Sequence, residues 1–381
     1  MSVAKLNIII IILMTFIFFE GCKSKILIDN LNPESIPSLY GKNTERDFVS
    51  KAALSDSLAL VWQVSLVGGF QNTGLSIKDN YAFVNDLSGR VACIDLDKGN
   101  VHGQIKASGS VLNTPVIYRN FLIFIENTSE NAKSYLSVYN LLTGEYSLHK
   151  EFTGKVMSEI LLEEDNIYFV TNQGTAYKFK TNGDLIWKYE SKQFVHSSPA
   201  LSKGIMAFGT DAGNVIGLDV KSGLQIYNVG LSKKAFESGF VIKNNIVYAC
   251  SNDGVLYAVD LAGGALKFKV NMENRVIAFP VVSDCIYVAT LKGEIYCITL
   301  EGQVKWHIKT GGLFNAAPIL VNTKLIVPDL NKKVLFVDAV TGKIVKTLSL
   351  EGKTRLSPAL YKNLLLIGYE RGIVEAYEFI Y

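Results

Sequence analysis

The chain is poor in the residues that usually carry chemistry. Only five of its 381 residues are cysteine and four are histidine. No two cysteines are adjacent and none stand in CxxC spacing, so neither a redox couple nor a thiolate metal cage is encoded. Three of the histidines, His102, His149 and His307, are too scattered along the chain to ligate one metal ion. Lysine and arginine nowhere gather into a basic run and the net charge is only +3, which removes the case for nucleic acid. Windows with helical periodicity are also missing between the apolar runs of residues 56–381.

What is present is a pattern that returns about every 40 residues, eight times, from residue 56 to the C-terminus. A period in this range signals a repeat architecture. In the unit covering 239–270, short runs rich in Val, Ile, Tyr and Phe are separated by the turns Lys243-Asn244-Asn245, Ser251-Asn252-Asp253-Gly254 and Asp260–Gly264. Such alternation encodes four antiparallel strands joined by hairpins. A turn glycine before the third strand recurs at Gly89, Gly174, Gly213, Gly254, Gly293 and Gly372, with a second after it at Gly99, Gly144, Gly183, Gly223, Gly263, Gly302 and Gly342. Four-stranded units arranged radially make a β-propeller, so the expected fold is all-β with eight blades. Residues 58–66, around Trp62, read like the fourth strands that carry Trp187 and Trp306, whereas the chain ends after a third strand. The N-terminal strand is therefore expected to complete the last blade and close the ring.

Ahead of the repeats, Lys5 precedes an apolar run at 8–19 broken only by Thr15, too short to span a bilayer but of signal-peptide length. It ends in Phe19-Glu20-Gly21-Cys22, which resembles a bacterial lipoprotein box in which Cys22 becomes the lipidated N-terminus. Phe19 and Glu20 depart from the Leu and the small residue usual there. The expected organisation is a signal peptide at 1–21, a lipidated Cys22 with a flexible tether at 22–55, and the propeller at 56–381. Cys93, Cys250, Cys285 and Cys297 fall on strands and are expected to be buried free thiols. The pairing of Cys297 with Val288 would turn Cys285 to the opposite face of their hairpin.

Recurrence also filters the candidate sites. Asp95, Asp219, Asp260 and Asp338 close third strands once per unit and are read as turn formers rather than acids or bases. Trp62, Trp187 and Trp306 share one fourth-strand position and are read as docking against the next blade. The loops entering the innermost strands should ring one mouth of the channel and place Gln71, Leu112, Val156, His196, Phe236, Ile277, Asn315 and Arg355 at equivalent points. No nucleophile–base–orienter set stands among them, so no catalytic residue, metal ligand or cofactor is assigned. Gln71, His196, Phe236, Asn315 and Arg355 become candidates for partner contact, joined by Glu126 and Glu130 of an extended hairpin in the second unit.

The unit, apolar-x-Ala/Val-apolar-Asp-x-x-x-Gly followed by an aromatic residue, resembles the PQQ-type propeller repeat over essentially all of 56–381. One class with this repeat, the quinoprotein dehydrogenases, implies a quinone, Ca²⁺, adjacent cysteines and an acidic site, which this chain does not match. In length, blade number, lipoprotein box and closing strand it resembles the lipoprotein subunits of the outer-membrane β-barrel assembly machinery. That resemblance implies a non-catalytic scaffold, lipid-anchored at the outer membrane and facing the periplasm. Its partners would be the barrel-forming subunit and nascent outer-membrane proteins, with strand addition to a blade edge as one route. An exported propeller that binds a polysaccharide or peptide, or a quinoprotein-type enzyme, remains the alternative.

Overall fold

The computed structural model describes residues 25–32, 38–52, 54–55, 57–129 and 132–380. Its strands form eight separate sheets, each containing four antiparallel strands. Seven blades are continuous in sequence, at 76–106, 116–153, 161–190, 200–230, 241–271, 281–309 and 319–349. The eighth joins Ala359–Tyr361, Leu364–Tyr369 and Ile373–Ile380 to the N-terminal strand Ser57–Ser65. That strand runs antiparallel to Ile373–Ile380, pairing Ser57 with Ile380 and Ser65 with Ile373. The ring is closed as the sequence implies, by hydrogen bonds between the two ends of the array.

The local chemistry follows the repeat. Gly213 has φ +82°, and a Cβ there would lie 2.0 Å from the Ser232 carbonyl oxygen, so the hairpin excludes any side chain. The recurring aspartates cap turns: Asp219 accepts from the Ser222 amide at 2.7 Å and Asp338 from the Thr341 amide at 2.7 Å. Each tryptophan reaches the following blade. The indole nitrogens of Trp62, Trp187 and Trp306 donate to the carbonyls of Leu96, Val220 and Ala339 at 3.1, 3.0 and 3.1 Å. Their rings lie on the turn glycines Gly99, Gly223 and Gly342 of that next blade, and Phe268 lies on Gly302 in the same way. In the fifth blade the positive-φ residue against Tyr227 is Gly264, not Gly263.

Three expectations change. Cys297 pairs with Tyr287 rather than Val288, and Cys285 with Thr299, so the two cysteines share a face. Both are nonetheless free buried thiols, as are Cys93 and Cys250. The seventh blade gains a fifth strand, since Val49–Ser50 runs parallel to Ile319–Val321. Most consequentially, the described parts of the stretch read as a flexible tether run against the propeller, with apolar side chains packed into it. Ile26, Ile28, Leu39, Tyr40, Arg46 and Phe48 are all buried. Apolar side chains spaced along it pack into the gaps between blades and into the channel, a pattern without strand or helix period.

Deleting 57–65 removes the last blade's outer strand and should lower the melting temperature by more than 10 °C; an unchanged thermal transition would mean that the ring does not depend on this closure.

Candidate functional site

The propeller axis has two dissimilar ends. Turns between first and second strands and between third and fourth strands lie on one face. The loops between blades and the turns between second and third strands lie on the other, the mouth face.

From the turn face, residues 38–50 enter the channel and hydrogen-bond to inner strands of successive blades. Ser38 bridges Ile117, and the Leu201 and Ile242 amides donate to the Thr44 and Glu45 carbonyls at 2.8 and 2.9 Å. The Leu320 and Asn322 amides donate to Phe48 and Ser50 carbonyls at 3.0 and 2.9 Å. Tyr40, Phe48 and Phe279 form a triangle of rings with centroids 5.1 to 5.3 Å apart. Room for Phe279 comes from Gly239, where a Cβ would meet its ring at 1.7 Å.

Arg46 is the centre of this plug. Its guanidinium donates to the carbonyls of Pro199 at 2.7 Å, Tyr40 at 2.8 Å, Glu159 at 3.3 Å and Ile160 at 3.2 Å. It also lies 5.8 Å from the centre of the Phe279 ring. The Glu159 carboxylate, equally buried, accepts from the Thr114 amide at 2.8 Å and hydroxyl at 2.9 Å. Burial pushes the Glu159 carboxyl up to about 7, only partly offset by the charge of Arg46 and the Thr114 hydrogen bonds. Burial also brings the Arg46 guanidinium down to about 10, which leaves it charged at neutral pH.

The mouth face carries the groups open to a partner. Gln71, Asn72, Leu112, Met157, Arg355, Glu370 and Arg371 line a recess of about 710 Å³. Beneath the mouth, the buried side chains of Thr73, Asn113, Asn315 and Thr354 hold polar atoms without a hydrogen-bond partner. Asn315 donates across the face to Asn72 at 2.9 Å. His196 is exposed and its Nδ1 lies 2.8 Å from an Asp211 carboxylate oxygen, beside the protruding Phe194. Further round, Glu237 pairs with Arg275 and accepts from Asn252 at 2.7 Å.

Of the expected contact residues, Gln71, Arg355 and His196 do reach this face, and Asn315 lies buried just below it. Phe236 is not available, because it is fully buried against Phe240 and Tyr257; its neighbour Glu237 holds the mouth position. Val156 is likewise buried while Met157 faces out. Glu126 is a structural carboxylate. It is 1% exposed and accepts from the Ser108 amide and hydroxyl at 2.6 Å and from the Ser137 hydroxyl at 2.6 Å. Glu130 and Cys22 lie outside the described residues. Arg46 and Glu159 were missed because nothing marks a lone arginine before the repeats as an axial residue. Arg371 was missed because it stands in a repeat slot. No group of three His, Cys, Asp or Glu among the described residues is placed to hold a metal ion.

A sequence model described as outer membrane protein assembly factor BamB matches residues 128–278 and 252–379. The chain belongs to the BamB family. BamB of Yersinia pestis is 22% identical over 373 residues, spanning 88% of this chain and 94% of that protein. BamB of Salmonella typhimurium is 25% identical over 193 residues, 47% of this chain and 49% of that protein. Among solved structures, BamB from Moraxella catarrhalis superposes with a TM-score of 0.70 at 17% identity, covering 85% of this chain and 100% of that one. Quinohemoprotein alcohol dehydrogenase from Comamonas testosteroni superposes with a TM-score of 0.73 at 9% identity, covering 90% of this chain and 80% of that one. At these identities the structural likeness is one of fold, shared by family members and quinoproteins alike. The residues at the mouth do not fit a quinone–Ca²⁺ pair, since the recess is lined by one carboxylate, Glu370, beside two arginines.

Two tests follow from the buried pair. Arg46→Ala leaves several buried carbonyls unpaired and should destabilise the fold by about 3–5 kcal/mol in denaturant unfolding. Because the folded-state pKa of Glu159 lies above the ordinary carboxyl value, the native state holds the extra proton between roughly pH 4.5 and 7. Stability should therefore fall as pH rises through that window, and Glu159→Gln should flatten this part of the melting-temperature profile. Parallel declines in both proteins would assign the dependence to another group.

Proposed function

We propose that this protein is a non-catalytic scaffold in the assembly of outer-membrane proteins, tethered to the outer membrane through Cys22 and facing the periplasm. The observation that carries the reading is the BamB family match over residues 128–379, joined to a mouth face that has contact chemistry but no catalytic constellation. His196 has its carboxylate partner in Asp211, yet the neighbouring Ser197 hydroxyl is buried and donates to the Gly209 carbonyl at 2.8 Å. That serine is thus committed to the blade rather than presented to the histidine, and no acyl-transfer arrangement results.

The contact surface has the composition expected of a protein interface. Arginine and amide groups (Arg355, Arg371, Gln71, Asn72) surround apolar side chains (Leu87, Leu112, Met157), and His196 with Phe194 extends the surface across the face. Aromatic residues, Met and Arg are the types enriched where proteins meet. The barrel-forming subunit of the assembly complex is the proposed partner, with nascent outer-membrane proteins as clients. Strand addition is the less favoured route for clients, because outer strands carry exposed lysines such as Lys267, Lys269, Lys305 and Lys309 that discourage edge pairing. A second reading, an exported propeller that takes an anionic ligand, draws on Arg355 and Arg371 alone.

Affinity purification from cross-linked envelope membranes should recover the barrel-forming subunit. The Arg355→Glu, Arg371→Glu double variant should reduce that recovery at least fivefold with an unchanged melting temperature. Failure to recover any assembly subunit with the wild-type protein would overturn the scaffold reading.

A further inference from the structure

The packed N-terminal segment has a consequence for how the molecule stands on a membrane. Residues 25–32 cross the turn face from rim to axis, between the first and second blades. At the rim, Lys25 pairs with Glu145 at 3.6 Å, and the His102 ring contacts the Leu27 carbonyl at 2.6 Å. The Ile28 amide donates to Leu141 at 2.8 Å, and the Asn32 amide to Asp79 at 2.9 Å beside the inner strand of the first blade. Ile26 and Ile28 are buried in the core shared by these two blades, with Phe83, Cys93, Phe124 and Tyr139.

Cys22 precedes Lys25 by three residues, and three residues of chain reach about 10 Å at most. A free tether from Cys22 to Ser55 would instead give a root-mean-square reach of about 30 Å and no preferred orientation.

We propose that the protein lies flush on the lipid surface, with the turn-face rim of its first two blades against the headgroups and its mouth directed away from the membrane. The proposal rests on lipidation of Cys22, which is part of the function proposed above. A second observation marks the same place. Leu27, Leu142, Tyr146 and Val101 are 44%, 45%, 41% and 37% exposed. The Leu27 side chain lies on Gly144 of the second blade's outer turn, two residues from both Leu142 and Tyr146, and Val101 adjoins His102, whose ring contacts the Leu27 carbonyl. Four of the nearby carboxylates are engaged, whereas Asp29, on the segment itself, is exposed. Glu145 meets Lys25, Asp95 meets Lys98 at 3.0 Å, Asp97 meets Lys362 at 3.4 Å, and Asp79 accepts from Asn32. Shallow insertion of these apolar side chains adds a second point of contact beside the acyl chains, and two points fix an orientation that one alone leaves free. Both chain length and surface chemistry thus select the same rim. Residues on the mouth face then project into the aqueous phase, where a partner's soluble domain can reach them.

The test uses the mature lipoprotein in phosphatidylethanolamine–phosphatidylglycerol liposomes that contain a headgroup nitroxide quencher. The four strand cysteines are buried, so a fluorophore can be directed to Leu142→Cys on the rim or to Phe194→Cys on the mouth. Quenching at position 142 should exceed that at 194 at least threefold. A Gly-Ser insert of about 20 residues between Ser24 and Lys25 should reduce the difference, because it lengthens the reach to about 25 Å. Equal quenching at both positions in a protein that floats with the liposomes overturns the orientation and leaves the anchor standing. A difference untouched by the insert overturns the part assigned to the short reach from Cys22 and leaves the apolar rim to set the orientation. A protein that neither floats nor carries acyl mass on its N-terminal peptide overturns both.

Discussion

The structure depends on how the axis of the ring is filled. The inner strands are only two or three residues long and turn their free edges toward the channel. Unpaired backbone amides there would be costly away from water. Residues 38–50 answer this by presenting their own carbonyls to the amides of Leu201, Ile242, Leu320 and Asn322. Arg46 works in the other direction, since it has donors only and meets the carbonyls of the third and fourth blades and of Tyr40. A charge is placed in the protein interior because its hydrogen bonds are supplied there in fixed geometry.

Around this axis five of the blade junctions are coupled by one repeated contact. An aromatic side chain on an outer strand lies against a glycine turn of the next blade, and in the tryptophan cases the indole also donates to a carbonyl there. The contact needs the glycine twice over, for positive φ and for the absent Cβ. Ring closure through Ser57–Ser65 allows Trp62 to make the same contact between the last blade and the first. The result is a platform whose mouth loops are held by strands on both sides, so that arginine, histidine and amide groups keep set positions.

The two faces consequently divide their tasks. One receives the N-terminal segment and, on the proposed orientation, the lipid surface. The other holds the recess, with Arg355 and Arg371 beside exposed apolar side chains and four buried polar residues just below. On the proposed scaffold role, such a separation keeps anchor and partner from competing for one surface.

Strand order, blade number, the aspartate turns and the tryptophan contacts were legible in the chain because each belongs to a unit that recurs along it. Ring closure, which pairs Ser57 with Ile380, was legible because residues 58–66 read like the fourth strands that carry Trp187 and Trp306. The mouth positions were legible to within a residue. Phe236 and Val156 were taken for Glu237 and Met157 because apolar and polar residues alternate in a loop without a regular period. Glu126 looked like a loop-tip residue, but its strand runs longer than in the other blades and draws it into a serine pocket. What tertiary structure alone decided was the course of residues 25–32 and 38–50. Their contacts span much of the chain, from Tyr40 to Ser357 and from Arg46 to Pro199, and such pairings leave no local signature. A repeat determines its own unit by short-range chemistry, whereas the single segment that does not repeat is placed by the cavity that the eight units leave between them.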